Sequence, residues 1–203
     1  MLEYGFEQQF LSENIRLVCG VDEAGRGPLA GPVFAAACIL PRGFVLEGLD
    51  DSKKLTEKKR EALFDKITKG AVAYAIASAS VEEIEEMNIL NAALLAMRRA
   101  IEALEPRADF ALIDGNVDRG FALPAKAIVG GDALAPSIAA ASILAKVARD
   151  RVCYELDREY PQYGFAKHKG YGTKLHKEAL LAHGPSPVHR PTFVHSFLYG
   201  KKK

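Results

Sequence analysis

Apolar positions along the chain follow two periods, which together predict a mixed α/β fold. Short apolar runs bounded by glycine or proline are typical of strands. They occur at residues 17–21, 33–40, 71–79, 110–113 and 127–129. Apolar residues three and four positions apart indicate helices. These patterns cover residues 56–69, 80–105, 136–160 and 173–183. The order β-β-α-β-α-β-β-α-α predicts a mixed sheet flanked by helices rather than a repeat array.

Local signals support the predicted helix ends. Ser80 and Glu83 match a capping box, in which each side chain bonds the other residue's backbone N–H. Thr56 can cap the preceding helix, and Pro136 suits a first helical turn. The helix that begins at Pro136 is rich in alanine and serine in its first half, which permits close packing on a sheet.

Length and composition place the chain among ordinary globular proteins. Its 203 residues suit one medium domain, and 26% of them are charged. No apolar run approaches the ~20 residues of a membrane helix, and the first ten residues lack the pattern of a secretory signal. Cys19, Cys38 and Cys153 are scattered, so neither a zinc cage nor a disulfide framework is indicated. We therefore expect a protein of the reducing cytoplasm, without a membrane partner.

The charge is unevenly distributed, although the net charge is only +1. Residues 166–203 carry eight lysines and arginines against one acid, Glu178, so this end is +7 and the remainder is −6. All five histidines also lie there. A basic end on an acidic body can attract phosphates, although the last three lysines, 201–203, are expected to form a solvated tail.

Acidic residues follow three of the predicted strands. Asp22 and Glu23 come directly after the first, Asp114 comes directly after the fourth, and Asp132 follows the fifth through two glycines. Carboxylates that converge at sheet ends repel one another unless a cation neutralises them, and their hard oxygens suit Mg²⁺ or Mn²⁺. Acids are also common at strand ends because strands meet water there. The spacing alone does not decide between these interpretations.

Seven short motifs do decide between them. They are DEAGRG at 22–27, DSKKL at 51–55, DGN at 114–116, GD at 131–132, AASILAKVARDR at 140–151, HKGYGT at 168–173 and HRPTF at 189–193. In this order, from about residue 17 to 197, they resemble the bacterial ribonuclease HII family. One such motif would be weak evidence, whereas seven in sequence are specific.

The resemblance implies a ribonuclease-H-like fold. We expect an N-terminal extension over residues 1–16, a catalytic domain over 17–165 and a basic helical extension over 166–203 that belongs to the same globular unit. The implied activity is hydrolysis of the RNA strand in RNA–DNA hybrids and incision of DNA duplexes 5′ of single embedded ribonucleotides. The products would carry 3′-hydroxyl and 5′-phosphate ends.

The family's catalytic metal ligands correspond here to Asp22, Glu23, Asp114 and Asp132. They would hold Mg²⁺ or Mn²⁺, with two ions during catalysis, one activating water and the other stabilising the leaving oxygen. Asp150 lies between two arginines and is interpreted as a structural ion-pair residue. The histidines lack ligand spacing, and no catalytic role is assigned to them.

Recognition of the ribonucleotide is expected from residues 25–27 and Tyr171. Gly25, Arg26 and Gly27 can bring backbone groups close to a sugar 2′-hydroxyl because the glycines have no Cβ. The resemblance implies that Tyr171 packs on the deoxynucleotide that follows the ribonucleotide. Without the resemblance, an ordinary tight turn and a surface tyrosine would be the preferred interpretations.

Further substrate contacts are expected from polar side chains in the remaining motifs. These candidates are Lys53, Lys54, Ser142, Lys146, Lys169 and Arg190. The cations would contact phosphates, which position a duplex without reading its sequence. For Ser142, small size on the Ala-rich face of its helix is the other interpretation. The expected partners are RNA–DNA hybrids and ribonucleotide-containing duplex DNA, bound by a monomer.

Two other functions stay open at this point. One is a different nuclease of the same fold, such as a resolvase-like enzyme, which cleavage of junction DNA would distinguish. The other is a nucleic-acid-binding module without catalysis, which metal-independent binding without cleavage would reveal. The retention of all four carboxylates argues against the second.

Overall fold

A five-stranded mixed sheet forms the centre of the computed structural model, which describes residues 2–50 and 52–200. The strands are β1 (Val18–Ala24), β2 (Val33–Ile39), β3 (Ala73–Ala79), β4 (Phe110–Asp114) and β5 (Ala125–Ile128). Their order is β3-β2-β1-β4-β5, with β1 antiparallel to β2 and parallel to β4. The β2–β3 pair is antiparallel and the β4–β5 pair parallel. The predicted fold class is confirmed. Asp51 and the lysines at 201–203 lie outside the described residues.

Six α-helices occur in the described part of the chain. They are α1 (Glu57–Gly70), α2 (Val81–Glu102), α3 (Pro136–Glu159), α4 (Phe165–His168), α5 (Lys174–His183) and α6 (Pro191–Tyr199). The capping box of Ser80 and Glu83 is present at the start of α2. The sequence patterns did not predict α4 and α6, which are short. They also did not predict the three-residue 3-10 turns at Ser52–Lys54 and Gly131–Ala133 or the 3-10 helix at Phe6–Phe10.

The alternation of side chains along β2 builds a core on each face of the sheet. Ala35, Ala37 and Ile39 join the cluster that packs against α2. Ala36 and Cys38 face the other way, into the cluster formed with α1 and α3. Because these strand residues are mostly alanine, helices can lie close on both sides, and the sheet forms the middle of three layers.

Helix α3 approaches β1 unusually closely at Gly20. A Cβ built on Gly20 would lie 2.2 Å from the backbone nitrogen of Ile138, so only glycine permits this contact. The approach carries the next turns of α3, which include Ser142 and Lys146, towards the carboxyl end of β1. Asp22 lies at that end. The close contact between Gly20 and α3 therefore determines which side chains of α3 lie near Asp22.

Both chain ends pack onto this central unit. Phe10 of the N-terminal 3-10 helix stacks on Phe110 of β4, with ring centroids 5.5 Å apart. The C-terminal helices share a core with Leu29 and Ala30, which lie in the loop between β1 and β2. Ala30 also forms an isolated β-bridge with His189. Within residues 2–50 and 52–200, no helix is both long enough and apolar enough to span a bilayer.

Candidate active site

Three carboxylates meet at one end of the sheet. Strands β1 and β4 are parallel, and Val21 pairs with Ile113, so Asp22 and Asp114 follow at adjacent positions. Asp132 lies in the 3-10 turn that follows β5. One carboxylate oxygen from each residue lies within 4.8 Å of the other two. We call these three residues the acidic cluster.

The acidic cluster holds negative charge where water is scarce. Burial raises the pKa of Asp22 well above its usual value, and repulsion from Glu23 and Asp114 adds to this effect. A hydrogen bond from the Ser142 hydroxyl partly offsets it. Burial likewise raises the pKa of Asp114, followed by repulsion from Asp132. Such mutual repulsion is relieved when a cation lies between the oxygens.

The donor set of the acidic cluster fits a hard divalent cation. It offers carboxylate oxygens only, which suits Mg²⁺ or Mn²⁺ rather than a soft metal. Glu23, the fourth expected ligand, lies beside these residues on β1 but is not within the same group of converging oxygens. Its Oε1 is 3.3 Å from Nη1 of Arg26. Its charge still raises the pKa of Asp22 and Asp114, so it lies close to both.

A cleft of about 200 Å³ opens beside Asp22 and Asp114. It brings together residues from β1, β4, α3, the 3-10 turn at Ser52–Lys54 and two loops. Its lining consists of Asp22, Glu23, Ala24, Gly25, Arg26, Gly27, Ser52, Lys53, Asp114, Ser142, Lys146, Arg149 and Tyr171. Most of the residues expected to contact substrate are therefore gathered in one place. A larger cavity of about 370 Å³ lies elsewhere, between the N-terminal segment and residues 39–44, and contains none of them.

Two buried serines form the floor of the cleft. The hydroxyls of Ser52 and Ser142 are 2.8 Å apart, and both side chains are buried. The Ser142 hydroxyl donates its proton to Asp22, so it can accept a hydrogen bond from the Ser52 hydroxyl. Ser52 was not among the residues expected at the site. Its motif is visible in the sequence, but a hydrogen bond across 90 residues leaves no local signal.

Two lysines, Lys53 and Lys146, line the cleft. Nζ of Lys53 is 3.5 Å from Oδ2 of Asp132 and is largely exposed. Nζ of Lys146 lies 2.6 Å from Oδ1 of Asp150. Asp150 also pairs with Arg60 at 3.6 Å, which agrees with its interpretation as a structural ion-pair residue. Both lysines place positive charge next to the acidic cluster.

The Gly-Arg-Gly turn, residues 25–27, packs against two side chains of the cleft. Gly25 has φ +104°, and a Cβ there would lie 2.2 Å from Nε of Arg149. Gly27 is less constrained, since its Cβ would meet Tyr171 at 3.4 Å. The Arg149 guanidinium lies 5.9 Å from the centre of the Tyr171 ring. Arg149 is buried and was not expected at the site, because sequence does not reveal which arginine of the motif faces inwards.

Three expected substrate contacts do not line the cleft. Lys54 pairs with Asp50 at 3.3 Å. Nζ of Lys169 donates to the carbonyl of Ala166 at 2.6 Å and to the Tyr154 hydroxyl at 2.9 Å. The third is Arg190, whose side chain has no exposed surface. A phosphate contact by Arg190 does not fit this environment, because phosphate would have to reach a guanidinium that is enclosed by protein.

Buried histidines hold the loop that carries Tyr171. The amide of Ser186 donates to Nδ1 of His189 at 2.9 Å, which leaves the proton of a neutral ring on Nε2. This nitrogen lies 3.0 Å from Nε2 of His176. Nδ1 of His176 can then donate to the carbonyl of Tyr171 at 3.0 Å. Burial is the main cause that lowers the pKa of both rings to about 4, so both are neutral at pH 7.

Comparisons with known proteins agree with this architecture. Residues 19–197 match the family model described as Ribonuclease HII. A ribonuclease HII from Burkholderia thailandensis is 60% identical over 178 residues, which cover 88% of this chain and 83% of that protein. One from Desulfitobacterium hafniense is 57% identical over 188 residues, covering 93% and 72% respectively.

Solved structures share the fold. A ribonuclease H2 from Pyrococcus horikoshii superposes with a TM-score of 0.75 at 27% identity, covering 90% of this chain and 97% of that one. The ribonuclease HII of Archaeoglobus fulgidus, solved in complex with PCNA, gives a TM-score of 0.72 at 26% identity, with 86% and 94% covered.

The mixed sheet, its flanking helices and the carboxylates at the strand ends define a metal-dependent nuclease of the ribonuclease H class. Within that class, the chain belongs to the ribonuclease HII family. It is therefore a ribonuclease H, an endonuclease for the RNA strand of RNA–DNA hybrids. Catalysis in this class depends on divalent metal ions, and the acidic cluster supplies ligands of the required kind.

Proposed function

We propose that this enzyme also incises DNA duplexes on the 5′ side of single embedded ribonucleotides. The observation that carries the proposal is the joint position of three features in one cleft. The carboxylates of Asp22 and Asp114, the Gly-Arg-Gly turn and the ring of Tyr171 all line it. A site that cuts beside one ribonucleotide needs its recognition groups next to its catalytic groups, and the cleft meets that requirement.

The proposed catalytic residues are Asp22, Glu23, Asp114 and Asp132, which would together hold two Mg²⁺ or Mn²⁺ ions. When bound, such ions lower the pKa of the attacking water and stabilise the departing 3′-oxygen. The proposed products carry 3′-hydroxyl and 5′-phosphate ends. The raised pKa values of Asp22 and Asp114 support this role, because they reflect negative charge that a bound cation would compensate.

The remaining groups of the cleft would bind and orient the substrate. Lys53 and Lys146 offer ammonium groups to backbone phosphates, a contact that positions the duplex in any sequence. Ser142 would act mainly through its hydrogen bond to Asp22, which holds that carboxylate in place. Lys54 and Lys169 could contact more distant phosphates only by leaving their present partners.

Discrimination of the sugar is proposed to come from the Gly-Arg-Gly turn and from Tyr171. Gly27 is exposed, and neither Gly25 nor Gly27 places a Cβ between the backbone and the cleft. Tyr171 is 45% exposed, and its ring packs on the turn at Gly27. An exposed aromatic face at this position can stack on the nucleotide next to the ribonucleotide. The two features would therefore read neighbouring nucleotides.

The organisation of the whole chain is proposed to be that of a cytoplasmic monomer. Its catalytic part would cover residues 17–165, with extensions over 1–16 and 166–203. Packing supports a single globular unit, since Phe10 stacks on Phe110 and Leu29 shares a core with the C-terminal helices. Sedimentation of the purified chain at several concentrations would test the monomer.

The first experiment is a cleavage assay on a labelled DNA duplex that contains one ribonucleotide. It is run with Mg²⁺, with Mn²⁺ and with EDTA, beside an all-DNA duplex, a long RNA–DNA hybrid and a four-way DNA junction. We expect a metal-dependent nick 5′ of the ribonucleotide and none in the all-DNA duplex. Cleavage of the hybrid alone would refute ribonucleotide incision, and cleavage of the junction would favour a resolvase-like activity.

A further inference from the structure

Arg190 is a buried cation whose hydrogen bonds go to carbonyl oxygens. Its side chain has no exposed surface. Among the described residues, no aspartate or glutamate oxygen lies within ion-pair distance of it. Burial is the main cause that lowers its pKa to about 9, so the guanidinium remains charged at neutral pH. A buried charge is retained only where its donors are well satisfied.

The partners of Arg190 belong to a single loop, the one that contains the Gly-Arg-Gly turn. Nη2 donates to the carbonyl of Gly25 at 2.7 Å, and Nη1 donates to those of Arg26 at 3.1 Å and Pro28 at 2.9 Å. Nε donates to the carbonyl of Gly31 at 2.9 Å. One planar fork of donors therefore fixes the orientation of four peptide groups in seven residues.

The orientation of those carbonyls determines where the amides point. In a trans peptide the C=O and the following N–H point in opposite directions. The carbonyls of Gly25 and Arg26 turn towards Arg190, so the N–H groups of Arg26 and Gly27 turn away from it. Residues 25–27 line the cleft and Arg190 does not, so these two amides are directed to the cleft side. In the described part of the chain, neither amide donates to a protein acceptor.

We propose that Arg190 is a positioning residue that presents the N–H groups of Arg26 and Gly27 to the cleft as a pair of hydrogen-bond donors. The pair would bind an oxygen of the substrate beside the scissile bond, either the ribose 2′-oxygen or an adjacent phosphate oxygen. Successive amides that point the same way form such a concave donor site. The inference rests on the proposed function of the Gly-Arg-Gly turn, and it gives the C-terminal segment a part in substrate recognition.

Arg190→Lys is the most informative variant. Lysine keeps the positive charge but replaces the planar fork by a single ammonium, which cannot hold four carbonyls in their present directions. Arg190→Ala removes both charge and fork and leaves a space for added guanidinium ion. Arg99→Lys is the matched control. Arg99 also bonds a backbone carbonyl, that of Ser78 at 2.9 Å, and pairs with Glu83 on the outside of the sheet.

The test measures kcat and KM on the one-ribonucleotide duplex and the inhibition constant of an all-DNA competitor, well below each variant's Tm. We expect kcat/KM of Arg190→Lys to fall about ten- to hundredfold, as for the loss of one or two oriented donors. The half-saturating Mn²⁺ concentration should not change. Guanidinium, but not equal ammonium, should partly restore Arg190→Ala. Arg99→Lys should behave as wild type.

The two possible oxygens give different results. If the donor pair binds the ribose 2′-oxygen, the variant loses affinity for the ribonucleotide duplex but not for the all-DNA competitor. If it binds a phosphate, both affinities fall by the same factor. Wild-type kinetics in folded Arg190→Lys, or losses that only follow the unfolded fraction, would overturn the inference. Long RNA–DNA hybrid serves as a second substrate, so Arg190 remains testable even if wild type does not cut the single ribonucleotide.

Discussion

The backbone N–H of Asp132 donates a hydrogen bond to Oδ1 of Asp114, across 3.3 Å. This bond ties the 3-10 turn after β5 to the end of β4, so the two carboxylates keep a fixed relation before any metal arrives. The same relation brings two negative charges together, and repulsion from Asp132 raises the pKa of Asp114. The fold therefore maintains an arrangement that is unfavourable without a cation, which is expected of a preorganised metal site.

Replacing Asp114 with asparagine should separate folding from catalysis. The amide oxygen can still accept the bond from Asp132, whereas the repulsive charge disappears. In EDTA we expect a Tm equal to or above that of wild type, while cleavage of RNA–DNA hybrid falls by about 100-fold or more. Added Mn²⁺ should raise the Tm of wild type more than that of the variant, because stabilisation follows metal affinity.

Asp109→Asn provides the matched control for that variant. The Asp109 carboxylate accepts bonds from the amides of Arg16 and Leu17, which lowers its pKa. Its charge is therefore favourable, and its removal should lower the Tm without affecting cleavage. Asp114→Asn with the wild-type rate would contradict the metal-ligand assignment.

The two glycines of the Gly-Arg-Gly turn should respond differently to alanine. At Gly25, φ is +104° and the new Cβ would lie 2.2 Å from Nε of Arg149, so the loop must move. At Gly27 the added methyl only touches the Tyr171 ring at 3.4 Å. We expect Gly25→Ala to lower the free energy of unfolding by about 1–3 kcal/mol and to abolish most activity. Gly27→Ala should keep the Tm and lose less activity. Equal destabilisation of the two variants in urea melts would contradict this explanation.

The sequence predicts the fold well where local periodicity and burial agree. The strand expected over residues 33–40 is β2 at Val33–Ile39, and the helix expected over 136–160 is α3 at Pro136–Glu159. It fails for α6, whose nine residues begin directly after the buried Arg190. Short helices of this kind are stabilised by tertiary packing, here through Val194 in the C-terminal core, so their own pattern is weak.

The sequence predicts one part of the site, the carboxylates, but not the role of Arg190. The carboxylates could be expected together because parallel strands end at the same edge of a sheet, and Asp22 and Asp114 do so. Arg190 could not be understood from its motif, since its environment depends on a loop some 160 residues away. A basic residue in a motif indicates that a cation is needed there. It does not distinguish a phosphate contact from a bond to the protein's own backbone.

Lys53 and Lys54 allow a test of which neighbouring lysine binds phosphate. Lys53 lines the cleft and lies 3.5 Å from Asp132, whereas Lys54 lies beside Asp50. Lys53→Ala should weaken binding of every duplex and reduce the slope of log K against log salt by about 1. Lys54→Ala should have a smaller effect on both. The slope is measured by fluorescence anisotropy over a salt series, and identical slopes for the two variants would contradict the assignment.

Tyr171→Ala should weaken the recognition of single ribonucleotides more than the cleavage of long hybrid. Loss of a stacked base corresponds to about 1–3 kcal/mol, or roughly ten- to hundredfold in kcat/KM. Tyr74, with a similar exposure of 42% against 45%, lies on β3 and does not line the cleft, so Tyr74→Ala is the control. A parallel loss of Tm and activity in Tyr171→Ala would instead indicate a packing role for the ring.

The bond between His176 and His189 should make the protein sensitive to acid. The pKa of each ring is lowered from 6.5 to about 4, mainly by burial. Between these values the unfolded chain binds more protons than the folded one, so stability is complete above pH 6.5 and falls as the pH decreases towards 4. Each pKa unit corresponds to about 1.4 kcal/mol, so the two rings together can change the free energy of unfolding by several kcal/mol. Protonation also removes the acceptor of the bond between the rings, which helps to hold Tyr171.

Urea unfolding between pH 4 and 7.5 measures this dependence. The carboxylates of Asp22 and Asp114 have raised pKa values and contribute the opposite sign, with stability falling as the pH rises. The relevant quantity is therefore the difference in slope between wild type and His189→Gln, since this difference isolates the histidines even if the variant is less stable throughout. We expect a flatter slope below pH 6.5 for His189→Gln and the wild-type slope for His195→Gln, whose ring is exposed. If His189→Gln retained the full acid slope, the buried rings would not be the groups that titrate.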